Sequence, residues 1–425
     1  MAKRTWYPLD NAAKIYPPNT NSKSPFVFSF TARIDEEVDP TLLNKALNEL
    51  LQKMPTFKTS LKRGFFWYYL EENKKPAECK PQPQHYLRQI IPEKNNGYMF
   101  EVFYRKNIIT INFHHCITDG TGGVNFFLEL LFGYFSLRGD NVETEGVLRP
   151  SAAPHVFDEA EDTFRIYDKK KDKISLFEKD AYRFKGTPYG YDGCGIITGI
   201  CPVEQIKTLA KKYNVTVTVY LAALYMFSIY ECRLKGKPVK NKDVKILVPM
   251  NLRTRFVSKT MRNFTLYVRL KHDFHEEITF EDCINLCKEQ MAKGLETDAI
   301  EKMIHYNVKL EKNVFMKLVP LFLKDVAMKI SYQRVGENLQ SGDISNIGLI
   351  KTPECFNGKL KDIVFLIGPT SSAQQNLGVI GYNGNMYISS ARGYVENDEE
   401  RYFFRKLAEN GVDVTVSSNY WEADL

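Results

Sequence analysis

Asn112-Phe113-His114-His115-Cys116-Ile117-Thr118-Asp119-Gly120 is the stretch around which the rest of this chain can be read. Residues 108–113 are an apolar run with the look of a strand. Two histidines close it, and Asp-Gly then opens an apolar helix. A histidine pair stands out in a chain that has only seven histidines. With Asp and Gly at fixed offsets, an accidental match in a protein of this size has a chance of about 10⁻³ or below.

The residue types suit proton transfer. A neutral imidazole within hydrogen-bond reach of an alcohol or amine takes its proton as it attacks. Such a ring must be held in one tautomer, and a strand exit, where backbone carbonyls are at hand, suits that. Asp119 has three readings from the residues alone: it orients His115, caps the following helix, or pairs with a distant arginine. Gly120, Gly122 and Gly123 leave the mouth of that helix without side chains, which permits turns and close approach of a substrate. Cys116 reads as packed inward rather than as a nucleophile, since nothing in the sequence gives it a reactive surrounding.

Composition bounds the class. The chain has 425 residues, long for one core and natural for two. At 44% hydrophobic and 26% charged it is globular, not disordered. The net charge of +7 suits an anionic donor but is too diffuse to imply nucleic acid. Lys169, Lys170, Lys171 and Lys173 alternate with Asp168 and Asp172, as in a solvated linker. The first residues show no apolar leader, and the most continuous apolar stretch, 215–230, falls short of the roughly 20 residues of a span. It reads as a buried helix, with no stable membrane insertion. Eight cysteines occur without a CxxC spacing, and Cys283 and Cys287, one helical turn apart, have no nearby histidine, so no metal site is expected. Free thiols and no leader point to the cytoplasm.

Along the chain, a strand at 26–34 precedes a helix capped by Asp39 with Pro40 in its first turn. Hairpins follow at 57–70 and 98–113, then the histidine block and a helix at 124–137. Weak periodicity and high charge mark 139–193 as a connecting segment. Beyond it come a strand at 196–202, helices from 203 and 217, and strands at 244–249 and 264–270. Helices at 279–293 and 296–322 and strands at 344–349, 362–367, 376–382 and 385–391 close a second sheet. A helix at 396–410 and a tail strand end the chain. Strand–helix–strand order in both halves predicts an α+β fold of two mixed sheets with flanking helices.

Four blocks resemble the condensation-domain and chloramphenicol acetyltransferase-like acyltransferase superfamily, which is marked by HHxxxDG. They are the opening Tyr7-Pro8-Leu9-Asp10-Asn11-Ala12-Ala13-Lys14-Ile15-Tyr16, similar to a bacterial alcohol acetyltransferase-like branch, and the histidine block. The others are Val248-Pro249-Met250-Asn251-Leu252-Arg253 with Arg262-Asn263-Phe264, and Ser345-Asn346-Ile347-Gly348. The plant acyltransferase hallmark Asp-Phe-Gly-Trp-Gly is absent. The resemblance implies two acyltransferase-like subdomains, residues 1–138 and 194–425 joined by 139–193, with the active-site channel between them. It implies His115 as general base, His114 as structural partner, Asp119 paired with Arg253, and Gly120 as a backbone position. It also brings Ser345 or Asn346 to the channel, either as oxyanion donors or as mere sheet-edge satisfiers.

The implied activity is transfer of an acyl group, acetyl among them, from a coenzyme A thioester to a small alcohol or amine. The attack is direct, with no covalent enzyme intermediate. Acyl-coenzyme A is then a co-substrate held in the channel, and no resident cofactor is required. Two alternatives stand beside it: a free-standing condensation enzyme taking acyl chains from a carrier protein, and a non-catalytic binding member of the fold.

Overall fold

The computed structural model describes residues 6–140, 159–169, 178–189, 193–312 and 317–419. Most of the connecting segment, the lysine run beyond Lys169, the first five residues and the end of the tail lie outside the described residues.

The first half runs β1 (Trp6–Pro8), α1 (Tyr16–Asn19), β2 (Val27–Ile34), α2 (Pro40–Lys53), β3 (Thr59–Arg63), β4 (Tyr68–Glu72), β5 (Cys79–Pro81), β6 (Phe100–Arg105), β7 (Ile108–His114) and α3 (Gly120–Arg138). A short α4 (Thr163–Ile166) follows. The second half runs β8 (Gly195–Pro202), α5 (Val203–Lys212), α6 (Val217–Ile229), β9 (Asp243–Asn251), β10 (Thr265–Asp273), α7 (Phe280–Gly294), α8 (Thr297–Lys312), α9 (Leu321–Ser331) and β11 (Gly342–Leu349). It ends with β12 (Leu360–Ile367), β13 (Gln375–Tyr382), β14 (Asn385–Arg392), α10 (Asp398–Glu409) and β15 (Thr415–Ser418). One sheet has the order β12-β2-β7-β6-β5, a second β10-β9-β11-β13-β14-β8-β15, and β1-β4-β3 form a small third. The result is a two-lobed α+β architecture of mixed sheets with flanking helices.

Local chemistry explains the helices that frame the site. Asp39 caps α2 by accepting from the Thr41 and Leu42 N–H groups, and Pro40 has no N–H to leave unpaired. The buried stripe of α2 packs on α3. That helix stops where Gly139 turns left-handed at φ 93°, a conformation open to glycine. Helix α6 and its continuation to Leu234 have the length and apolarity of a membrane span. They are mostly buried, with α7 and α10 packed against α6, so this is a core helix.

Two elements depart from the sequence reading. The strand at 362–367 was expected to close the second sheet, yet β12 leaves that lobe and pairs antiparallel with β2, Leu360 opposite Ile34 and Ile367 opposite Phe28. Its alternation fits either sheet; the choice is tertiary. Ile363 and Phe365 complete the first lobe's core, and Asp362 meets Arg33 across the pair. The helix at 296–322 is divided as well. Helix α8 is described as far as Lys312, and Pro320 caps the start of α9, because proline cannot donate within a helix and belongs at its N-terminal boundary.

Candidate active site

The end of β7 and the start of α3 face β9, β10 and β11 of the other lobe across a cavity of about 150 Å³. His115, Asp119 and Gly120 line it from one side, and Asn251, Thr265, Asp343 and Ser345 from the other.

His114 is fully buried. Its Nδ1 accepts the Cys116 N–H at 3.1 Å, which puts its proton on Nε2, 2.8 Å from Thr20 Oγ1. The Thr20 hydroxyl in turn donates a hydrogen bond to the Tyr16 carbonyl at 2.8 Å. Burial, then the neighbouring His115, pushes His114 down to about 3, so it is neutral and fully engaged in holding the loop.

His115 is held differently. Its N–H donates to the Phe26 carbonyl at 2.9 Å, and Phe26 itself sits at φ +49°, a strained value for a bulky residue. The ring stacks on Tyr16 with centroids 5.0 Å apart and lies 4.8 Å from that of Phe28. The Asn263 amide decides the tautomer. Its nitrogen donates to Asp10 Oδ2 at 3.1 Å and to the His115 carbonyl at 3.0 Å, so its oxygen is the acceptor that lies 3.4 Å from His115 Nδ1. The His115 proton therefore belongs on Nδ1 and the lone pair on Nε2. Burial lowers the pKa of His115 from its ordinary value, opposed by the Asn263 amide, the Asp119 charge and the Thr118 backbone.

Asp119 is the anchor of the loop. Its Oδ1 accepts the Gly122 N–H at 3.0 Å, and its Oδ2 accepts from Arg253 Nη1 at 2.8 Å, the Phe264 N–H at 2.9 Å and Thr265 Oγ1 at 2.9 Å. Burial works against its charge, but Arg253 and these donors prevail and hold the carboxyl below its usual range. Arg253 also donates to the carbonyls of Thr260 and Arg262 and to Asn251. Two of the readings of Asp119 thus coexist: it caps α3 and clamps the first lobe to β10 of the second. Gly122 lies so close to this clamp that a Cβ there would be 2.2 Å from the Met261 carbonyl oxygen.

Period-two alternation along β11 turns Asp343 and Ser345 to the cavity and Ile344 to the core. Asn346 lines the same cavity; its amide nitrogen donates to Thr218 Oγ1 at 3.1 Å and its oxygen accepts the Gly348 N–H at 2.9 Å. Ser345 remains on the cavity wall. Cys116 is fully buried and burial pushes its thiol up, which leaves no thiolate to attack.

Four contributors were given no role in the sequence reading. Asp10, Tyr16 and Asn263 sat inside quoted blocks, and their function emerges only when the opening segment folds beneath the histidine loop. Asp343 had no signal beyond lying two residues before Ser345. Its Oδ1 is shielded and has no hydrogen-bond partner among the described residues, and burial pushes the carboxyl up to about 7.

Comparison with known proteins places these features. The alcohol acetyltransferase family model matches residues 200–400, the part that supplies β9, β10 and β11. No curated protein matches by sequence. Among solved structures, the condensation domain of the monacolin K polyketide synthase MokA is similar with TM-score 0.57 at 13% identity, over 96% of each chain. The TRI3 trichothecene 15-O-acetyltransferase from Fusarium sporotrichioides gives TM-score 0.57 at 9% identity, over 95% of this chain and 93% of that one. Polyketide synthase associated protein 5 from Mycobacterium tuberculosis gives 0.55 at 15%, over 91% and 96%. These likenesses extend over nearly the whole chain and are likenesses of fold.

Proposed function

We propose that this chain is an acyltransferase of the condensation-domain and chloramphenicol acetyltransferase-like kind, which it is similar to in fold and, over residues 200–400, in the alcohol acetyltransferase family model, and that it moves an acyl group from a coenzyme A thioester to an alcohol or amine. The observation that carries the proposal is the fixed tautomer of His115, whose Nε2 is left as a base on the wall of an inter-lobe cavity.

The steps follow from the arrangement. Nε2 of His115 takes the acceptor's proton while the acceptor oxygen or nitrogen bonds to the thioester carbon. The negative charge gathers on the former carbonyl oxygen, where the Ser345 hydroxyl donates to it. The carbon–sulfur bond then breaks, and the His115 imidazolium returns its proton to the departing thiolate. Asp343 meets a polar group of the acceptor. No nucleophile on the chain is needed, which accords with the inert Cys116.

The test is product identification by mass spectrometry after incubation with short acyl-coenzyme A donors and a panel of alcohols and amines. An ester or amide formed in step with free thiol supports the reading. Turnover only with acyl chains on a carrier protein assigns the donor to that class instead, as in a free-standing condensation enzyme. No product with either donor leaves a binding role.

A further inference from the structure

Helix α9 is inside out. Its residues 321, 324, 325 and 328, the i, i+3, i+4, i+7 face, turn inward, and two of them are charged. Lys324, 1% exposed, donates to the Phe66 carbonyl at 2.9 Å, and its ammonium lies 3.6 Å from the centre of the Trp67 ring. Asp325 accepts from Arg63 at 2.9 Å and from the Tyr68 hydroxyl at 3.2 Å. The opposite face shows Phe322, Leu323, Val326 and Ile330 to solvent, with Phe322 59% and Val326 57% exposed. A surface helix of a globular protein ordinarily has the reverse pattern.

The face continues beyond the helix. Leu318 precedes it, 67% exposed, and the tip of the β3–β4 hairpin adjoins its start, where the Leu321 N–H donates to the Phe65 carbonyl at 2.8 Å. Phe65, 72% exposed, and Phe66 pack edge to face there. Apolar patches of this kind mark surfaces made to be covered.

The charges say by what. From residue 317 to 334 the chain has Lys317, Lys324, Lys329 and Arg334 against one acid, Asp325, which is turned inward and paired. Lys317, Lys329 and Arg334 are exposed. The outward apolar side chains of α9 thus carry a basic rim with no acid of the helix facing out. We propose that the outward face of α9, together with the β3–β4 tip, docks the protein on the surface of an anionic lipid bilayer. A bilayer asks only for apolar area and positive charge, and both are here. The contact is peripheral, with the aromatic and aliphatic side chains at the headgroup boundary and no segment crossing. Helix α9 also packs on α1, whose Tyr16 stacks on His115, so the docked face lies beside the catalytic loop.

The test is flotation of the full chain with vesicles of phosphatidylcholine alone and of phosphatidylcholine mixed with phosphatidylglycerol. The expected result is binding to the mixed vesicles, weakened by salt. It falls about tenfold or more when Phe322→Glu and Val326→Glu are combined. Turnover of soluble substrates is unchanged in that variant, and Val257→Glu, a change at an apolar residue 89% exposed elsewhere, binds as the wild type does. A wild type that stays with the unbound fraction, or a double variant that floats like the wild type, overturns the proposal. So does light scattering that shows a wild-type dimer, split by the double variant, without vesicle binding; the face is then a contact between copies.

Discussion

The oxygen of the Asn263 amide stands 3.4 Å from His115 Nδ1, while its nitrogen is committed to Asp10 and to the His115 backbone carbonyl. A residue of the second lobe thus sets which ring nitrogen of a first-lobe histidine carries the proton. Asn263→Leu keeps the volume and removes the orienting oxygen. Turnover should fall by about tenfold to a hundredfold, the scale for losing a group that orients a base, with KM changed far less. Steady-state kinetics beside a thermal midpoint separates this from loss of fold.

The Asp119–Arg253 pair is buried and multiply bonded, so removing one partner strands the other. Arg253→Ala should destabilise by about 3–5 kcal/mol. Denaturant titration reads it directly, and a loss below about 1 kcal/mol would show that the clamp is not needed to join the lobes.

Asp343 gives a pH signature. Its carboxyl rises from 3.8 to about 7 on folding, so the native state keeps a proton that the unfolded chain releases. A raised carboxyl favours the fold below the unfolded value and loses that contribution as pH climbs to 7. Asp343→Asn does not titrate. Its stability relative to wild type should therefore increase between pH 4 and 7 and level off above. A difference that stays flat across that window would remove the raised carboxyl from the account.

Gly122→Ala places a methyl 2.2 Å from both the Met261 carbonyl oxygen and Thr118 Oγ1. Backbone must move, at a cost of about 1–3 kcal/mol. Cys116→Ala should keep turnover within about twofold, because a buried, neutral thiol has no covalent role. Loss of activity there with an unchanged midpoint would reopen the nucleophile question.

Much of this was legible along the chain. The cap at Asp39, the apolar α3 and the mostly buried α6 follow from local pattern, and so does the histidine loop at a strand's end. The sheet that β12 joins was not legible, since alternation specifies a strand but not its neighbour. The bond that Asn346 makes to Thr218 of a distant helix was equally out of reach, because it depends on tertiary packing. Asp10, Tyr16, Asn263 and Asp343 become neighbours of the histidine loop only through contacts between segments about a hundred residues apart or more.

The most direct test of the central claim is acceptor-dependent thiol release from acyl-coenzyme A, measured for wild type and for His115→Ala with its fold checked by circular dichroism. A general base at Nε2 predicts a drop of about 10² or more in the variant, with the fold intact. A folded His115→Ala that releases thiol at the wild-type rate would contradict it.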